Sequence, residues 1–101
     1  MKKFYLNKDV VISQVAGETV AVPLVNSVVQ MNRVFTLNQT AAYIVGLMGE
    51  PVTIDEIAKK VTNEFDVDID EATKDITEII SKGIELDIFL TKHLDSFREF
   101  L

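Results

Sequence analysis

Apolar positions along this chain first alternate as strands do and then recur as helices do. Residues 9 to 15 and 18 to 25 are dense in Val and Ile, and only Ala16-Gly17 parts the two runs. That is the pattern of two antiparallel strands joined by a tight turn. Pro23, near the end of the second run, has no N–H to give a ladder, so it marks an edge, a bulge or the end of pairing. A connector with some β character over 26–33 leads to a short third strand over 34–37. Asn38 then offers a side-chain acceptor to the unpaired amides of a first helical turn, and predicts a helix running on to Met48.

Two further helices carry stronger signals. Thr53 and Glu56 have the spacing of a capping box, Val52 and Ile57 stand at the hydrophobic-staple positions, and Pro51 discourages helix before them. Ile54, Ile57, Ala58, Val61 and Phe65 then share one helical face, which is the core face. Asp68 and Glu71 repeat the capping arrangement for a third helix with an apolar stripe of Ile69, Ala72, Ile76, Ile79 and Ile80. Gly83 is its expected end, with Ile84 packing back on Ile79 as in a Schellman motif. Residues 86–90 read as extended or irregular, and Leu90, Leu94, Phe97 and Leu101 mark a last amphipathic helix. Three strands followed by three helices predict an α+β fold in which the helices bury their stripes against one another and one sheet face.

A chain of 101 residues makes one domain and buries roughly two thirds of its unfolded surface, enough for a core without staples. No apolar run approaches the ~20 residues that cross a bilayer, so no membrane partner is expected. Ten basic against sixteen acidic side chains give −6 at neutral pH, a field that repels phosphate and anionic lipid. There is no cysteine, hence no disulfide, thiol nucleophile or zinc knuckle, and Met1-Lys2-Lys3 is followed by no signal-peptide apolar region, so the cytoplasm is the expected compartment.

Catalytic chemistry finds no foothold. His93 is the sole histidine, so no Ser-His-Asp or Cys-His arrangement forms within the folded core, and no metal set converges on it; neither an enzyme nor a cofactor is expected. Asp66, Asp68 and Asp70 resemble the opening of a calcium loop, but its glycine position holds Glu71 and its bidentate position Thr77. Helix capping and the helix dipole explain these acids better. The helices over 54–65 and 69–82 also have the layout of a helix-turn-helix, which keeps a DNA-binding transcriptional regulator as the alternative. Against it, residues 68–82 carry Asp68, Asp70, Glu71, Asp75 and Glu78 and only Lys74 and Lys82, where a DNA reader needs net positive charge. Nucleic acid is therefore not an expected partner.

The run Leu37-Asn38-Gln39-Thr40-Ala41-Ala42, preceded by Gly17-Glu18-Thr19-Val20-Ala21-Val22-Pro23 and followed by Thr53-Ile54-Asp55-Glu56-Ile57, resembles the PqqD family over roughly residues 4 to 90. Two departures stand out: Ile44-Val45-Gly46-Leu47-Met48 replaces an aromatic often found in the first helix, and the tail passes beyond the familiar pattern. The resemblance implies a winged-helix-like domain over 1–90, a three-stranded antiparallel sheet followed by a three-helix bundle, with 91–101 as an amphipathic tail. It implies a non-catalytic module that holds the leader of a ribosomally made precursor peptide for a modifying enzyme, often a radical S-adenosylmethionine enzyme. In that family the leader lies between the third strand and the third helix, which implicates Val34, Phe35 and Thr36 with Lys74, Thr77, Glu78 and Ser81. An open strand edge there accepts the peptide as an added strand. A lone eleven-residue tail helix is marginal in water, so it either stays disordered or docks its stripe on its own domain, on a second copy in a homodimer, or on the partner enzyme.

Overall fold

The computed structural model describes residues 2–26, 28–29 and 34–93. Its elements are β1 (Lys2–Leu6), β2 (Val10–Val15), β3 (Glu18–Val25), β4 (Val28–Val29), β5 (Phe35–Leu37), α1 (Gln39–Gly46), α2 (Ile54–Glu64), α3 (Ile69–Glu85) and β6 (Phe89–His93). The fold is α+β, as the change of period predicts. In the main antiparallel sheet β3 is central, with β2 along one side and β5 and β4 along the other.

Local chemistry sets most of these boundaries. The β2–β3 hairpin turns on Ala16 and Gly17, both at positive φ (52° and 83°), the backbone of a two-residue turn whose twist matches that of the strands. Asn38 Oδ1 accepts from the Ala41 amide at 2.8 Å and starts α1, which stops at Gly46, two residues short of the expected Met48. The capping box of α2 is formed: the Thr53 amide donates to Glu56 Oε1 at 2.9 Å and the Glu56 amide to Thr53 Oγ1 at 3.1 Å. Asp68 caps α3 by accepting from the Asp70 amide.

The end of α3 differs from expectation. Gly83 lies inside the helix, not after it. The Schellman pattern does occur, four residues on: the Ile88 amide donates to the Gly83 carbonyl and the Asp87 amide to that of Ile84, with Asp87 in the left-handed conformation at φ 61°. Gly83 is needed for another reason, since a Cβ there would run into the Phe89 ring.

β1 pairs antiparallel with β6 from Lys2↔His93 to Leu6↔Phe89 in a separate two-stranded sheet. Residues 86–90 are therefore a helix end followed by a strand, and Leu90 belongs to that strand and not to a helical stripe. The strand continues to His93, past the expected division at residue 90; Leu94, Phe97 and Leu101 lie outside the described residues. The other edge of β1 is tied to the start of the helical half, with Phe4 and Val52 exchanging both backbone bonds at 2.7 and 2.9 Å. Ile44, Met48, Ile57, Ile76 and Ile80 are fully buried, so the core sits where all three helices meet the β3 face carrying Ala21. Tyr43 and Phe65 meet edge to face at 5.4 Å and join α1 to the end of α2.

Candidate functional site

One strand edge stands beside a helix with a groove between them. β5 pairs with β3 through Thr19↔Leu37, Val20↔Thr36 and Ala21↔Phe35, and among the described residues no strand lies on its other side. Antiparallel ladders alternate, so successive residues turn their backbone groups to opposite neighbours. The Leu24 amide donates to Asp9, on the β2 side. By alternation Val20 and Val22 also face β2, while Thr19 and Ala21 face β5. Phe35 and Leu37 thus spend their backbone groups on β3, and Thr36 turns its N–H and C=O off the sheet. An extended chain laid there finds one donor and one acceptor at strand spacing.

Between this edge and α3 runs a groove of 330 Å³. Phe35, Thr36 and Leu37 form one wall, Glu78, Ile79, Lys82 and Leu86 the other, and Ala41, Val45, Ile88 and Phe89 line the depth. The volume is near the lower bound of ligand sites, ~300–1,000 Å³. The lining is apolar apart from Thr36 and the charged lip of Glu78 and Lys82. Lys82 Nζ stands 3.8 Å from Glu85 Oε2, with both side chains largely in solvent, a pairing of little energetic weight that leaves the ammonium available.

Of the residues implicated by resemblance, Phe35, Thr36 and Glu78 line this groove. Thr77 and Ser81 lie on the far side of α3, in a second depression shared with Phe4, Thr53 and Ile54. Lys74 is exposed on α3 one turn before Glu78, and Val34 immediately precedes β5; neither lines the groove. Lys82, a candidate with Lys74 for pairing with acidic leader residues, lines it one turn after Glu78, and Ile79 and Leu86 line it without having been singled out as site residues. Asp70, Glu71, Asp75 and Glu78 are all exposed along α3, against Lys74 and Lys82. Among the described residues no three His, Cys, Asp or Glu side chains come together as a metal site, and no helix is long and apolar enough to cross a membrane. His93 pairs with Lys2 through the backbone.

A family model, "Coenzyme PQQ synthesis protein D (PqqD)", matches residues 14–87. Two solved structures have a similar fold. "Lasso peptide synthetase B1 complexed with the leader peptide" is 23% identical at a TM-score of 0.70, over 86% of this chain and 96% of that one. "TbiB1 in Complex with the TbiA(beta) Leader Peptide" is 20% identical at a TM-score of 0.69, over 84% and 93%. No curated protein matches the sequence.

Proposed function

Because the chain belongs to the PqqD family, we propose that it is a non-catalytic module that captures the leader of a ribosomally made precursor peptide by strand addition to β5. It then presents the peptide to a separate modifying enzyme, of the radical S-adenosylmethionine or another class. The observation that carries this reading is the outward-turned backbone of Thr36 beside an apolar groove. Both similar structures are complexes with a leader peptide, which supports the same reading.

The mechanism is backbone pairing plus side-chain sorting. The leader residue opposite Thr36 exchanges hydrogen bonds with it, and its side chain takes the sheet face of Thr36, opposite to that of Phe35 and Leu37. The residues on either side of it share the orientation of Phe35 and Leu37 and enter the groove, so the site selects two apolar side chains separated by one residue. Glu78 and Lys82 then read flanking charge. Holding the leader raises the local concentration of the attached core peptide to about the millimolar range for a suitable linker, with no chemistry performed by this domain. The acidic surface of α3 opposes the DNA-binding alternative, since counterion release needs basic side chains.

NMR titration with a synthetic leader, taken from a short Gly-rich or Cys-rich open reading frame beside the gene, tests the proposal. Amide shifts are expected at Val34 to Leu37 and along α3 from Glu78 to Leu86; shifts confined to the β2–β3 hairpin would rule the geometry out.

A further inference from the structure

Among the described residues the opposite edge of the main sheet is also open, and it is the longer one. β2 has the sequence Val-Val-Ile-Ser-Gln-Val, without the charge, proline or bulge that normally blunts an edge. The alternation that frees Thr36 fixes what is free here. Val11, Ser13 and Val15 spend their backbone groups on Val22, Val20 and Glu18, so Ile12 and Gln14 turn theirs outward. The Val10 amide is already bonded to the Asn7 carbonyl.

We infer that β2 pairs antiparallel with β2 of a second copy of this chain, across a two-fold axis perpendicular to the sheet. Such an axis keeps the core faces of both copies on one side, so each residue must meet one of like facing. The register that satisfies every free group puts Ser13 on the axis and Ile12 opposite Gln14 of the second copy, which makes two doubly bonded pairs. The same register sets Val11 opposite Val15 of the second copy. These two are 46% and 55% exposed, and they close over each other in the pairs where side chains approach most nearly.

Charge agrees with this occupant. Residues 10–17 carry none, Lys8 and Asp9 flank one end of β2, and Glu18 flanks the other. Antiparallel apposition sets the Lys8-Asp9 end of each strand against the uncharged Ala16-Gly17 turn of the other copy, so no like charges stand opposite one another along the seam even though each chain carries −6. One six-residue strand per copy is small beside the ~1,600 Å² of a standard stable interface, so the dimer is weak and concentration-dependent. It makes a continuous sheet whose two outer edges are the β5 strands, leaving both grooves open.

Sedimentation velocity from micromolar to millimolar chain, with amide hydrogen exchange over the same range, is the test; it involves no peptide and stands apart from the leader reading. The expected result is a mass approaching that of two chains, with protection rising at the Ile12 and Gln14 amides and not at Thr36. Gln14→Pro removes a backbone amide that has no partner among the described residues, together with the side-chain bond to Thr19 within the hairpin, and Val15→Lys sets an ammonium against Val11 of the second copy. Each should weaken association at least about tenfold while the circular dichroism of the single chain persists. A chain that stays single throughout overturns the inference, even if a foreign strand binds β2; so does a dimer indifferent to both changes, or one that protects Thr36 instead.

Discussion

Helix α3 has a depression on each side, and the larger is the poorer place for a peptide. The one between α3, β1 and the start of α2 measures 460 Å³, against 330 Å³ beside β5. The middle of its strand wall is already paired on both edges. β1 gives one edge to β6, and on the other the Phe4 and Leu6 amides are taken by the Val52 and Met48 carbonyls at 2.7 and 3.0 Å. Beside β5 the void is smaller and the edge is free. Volume bounds what fits, but an extended chain needs partners for its own N–H and C=O groups, because leaving them unpaired costs about 1–3 kcal/mol apiece.

The largest effect that would sharpen this contrast is on stability. Phe89 is 3% exposed and packs on Gly83 deep in the β5-side groove, so Phe89→Ala should cost about 3–5 kcal/mol. Ile84, on the other side of α3, is 36% exposed, and Ile84→Ala should cost under about 1 kcal/mol. Urea denaturation of both variants measures the gap; equal costs would mean that the groove is no more integral to the core than its neighbour.

Next comes binding. Thr36→Pro deletes the one outward amide within β5 and should weaken a leader peptide by roughly ten- to a hundredfold, the worth of about 1.4–2.8 kcal/mol. Thr36→Val keeps the backbone and should stay within about twofold, as should Ser81→Phe, which fills the larger depression. Calorimetric titration decides among them. Loss of affinity in Ser81→Phe with retention in Thr36→Pro would reverse the comparison.

How far the sequence led is itself divided along these two sides. Caps were legible because their chemistry is local: Asn38, Thr53 with Glu56, and Asp68 each satisfy amides two or three residues away. The β1–β6 ribbon was not, since its partners lie at opposite ends of the chain and Lys2-Lys3 reads as a charged start, while Leu90 fits a helical stripe as readily as a strand. Gly83 read as a helix terminator because the ring that excludes a side chain there, Phe89, is placed by the ribbon. The strand beside the groove, β5, was legible from the short run before Asn38. On the helix, Glu78 lines the same groove, and because each residue turns a helix by about 100°, Thr77 and Ser81, one position before Glu78 and Lys82, face the other depression across α3.

A smaller effect concerns the lip. Lys82→Glu should lower affinity for a leader carrying a carboxylate near the groove by about two- to fivefold at low salt, with the difference shrinking as ionic strength rises. No salt dependence would assign Lys82 to packing of its stem along Ile79 and Leu86. Lys74, two turns away and outside the groove, should matter less under the same conditions.

The smallest effect is on the wall of the larger depression, where the α2 capping box sits. The carboxyl of Glu56 is held below its ordinary value of 4.5, first by the hydrogen bond from the Thr53 backbone N–H and then by that from the Thr53 hydroxyl, with lesser help from the positive charges of Lys3 and Lys59. A group whose folded-state value is depressed stabilises the fold wherever it is ionised in both states, and that contribution is lost as pH falls through the folded value. The cap should therefore contribute fully above about pH 5 and fade below 4.5. Glu56→Gln keeps a capping residue without the charge, so thermal melts of the two proteins should differ by a constant amount from pH 7 to 5 and converge toward pH 3. Leader affinity should be the same for both at neutral pH, because Glu56 and the residues it orders face the side of α3 that offers no strand edge. A fall in affinity with Glu56→Gln would mean that the larger depression takes part in binding after all.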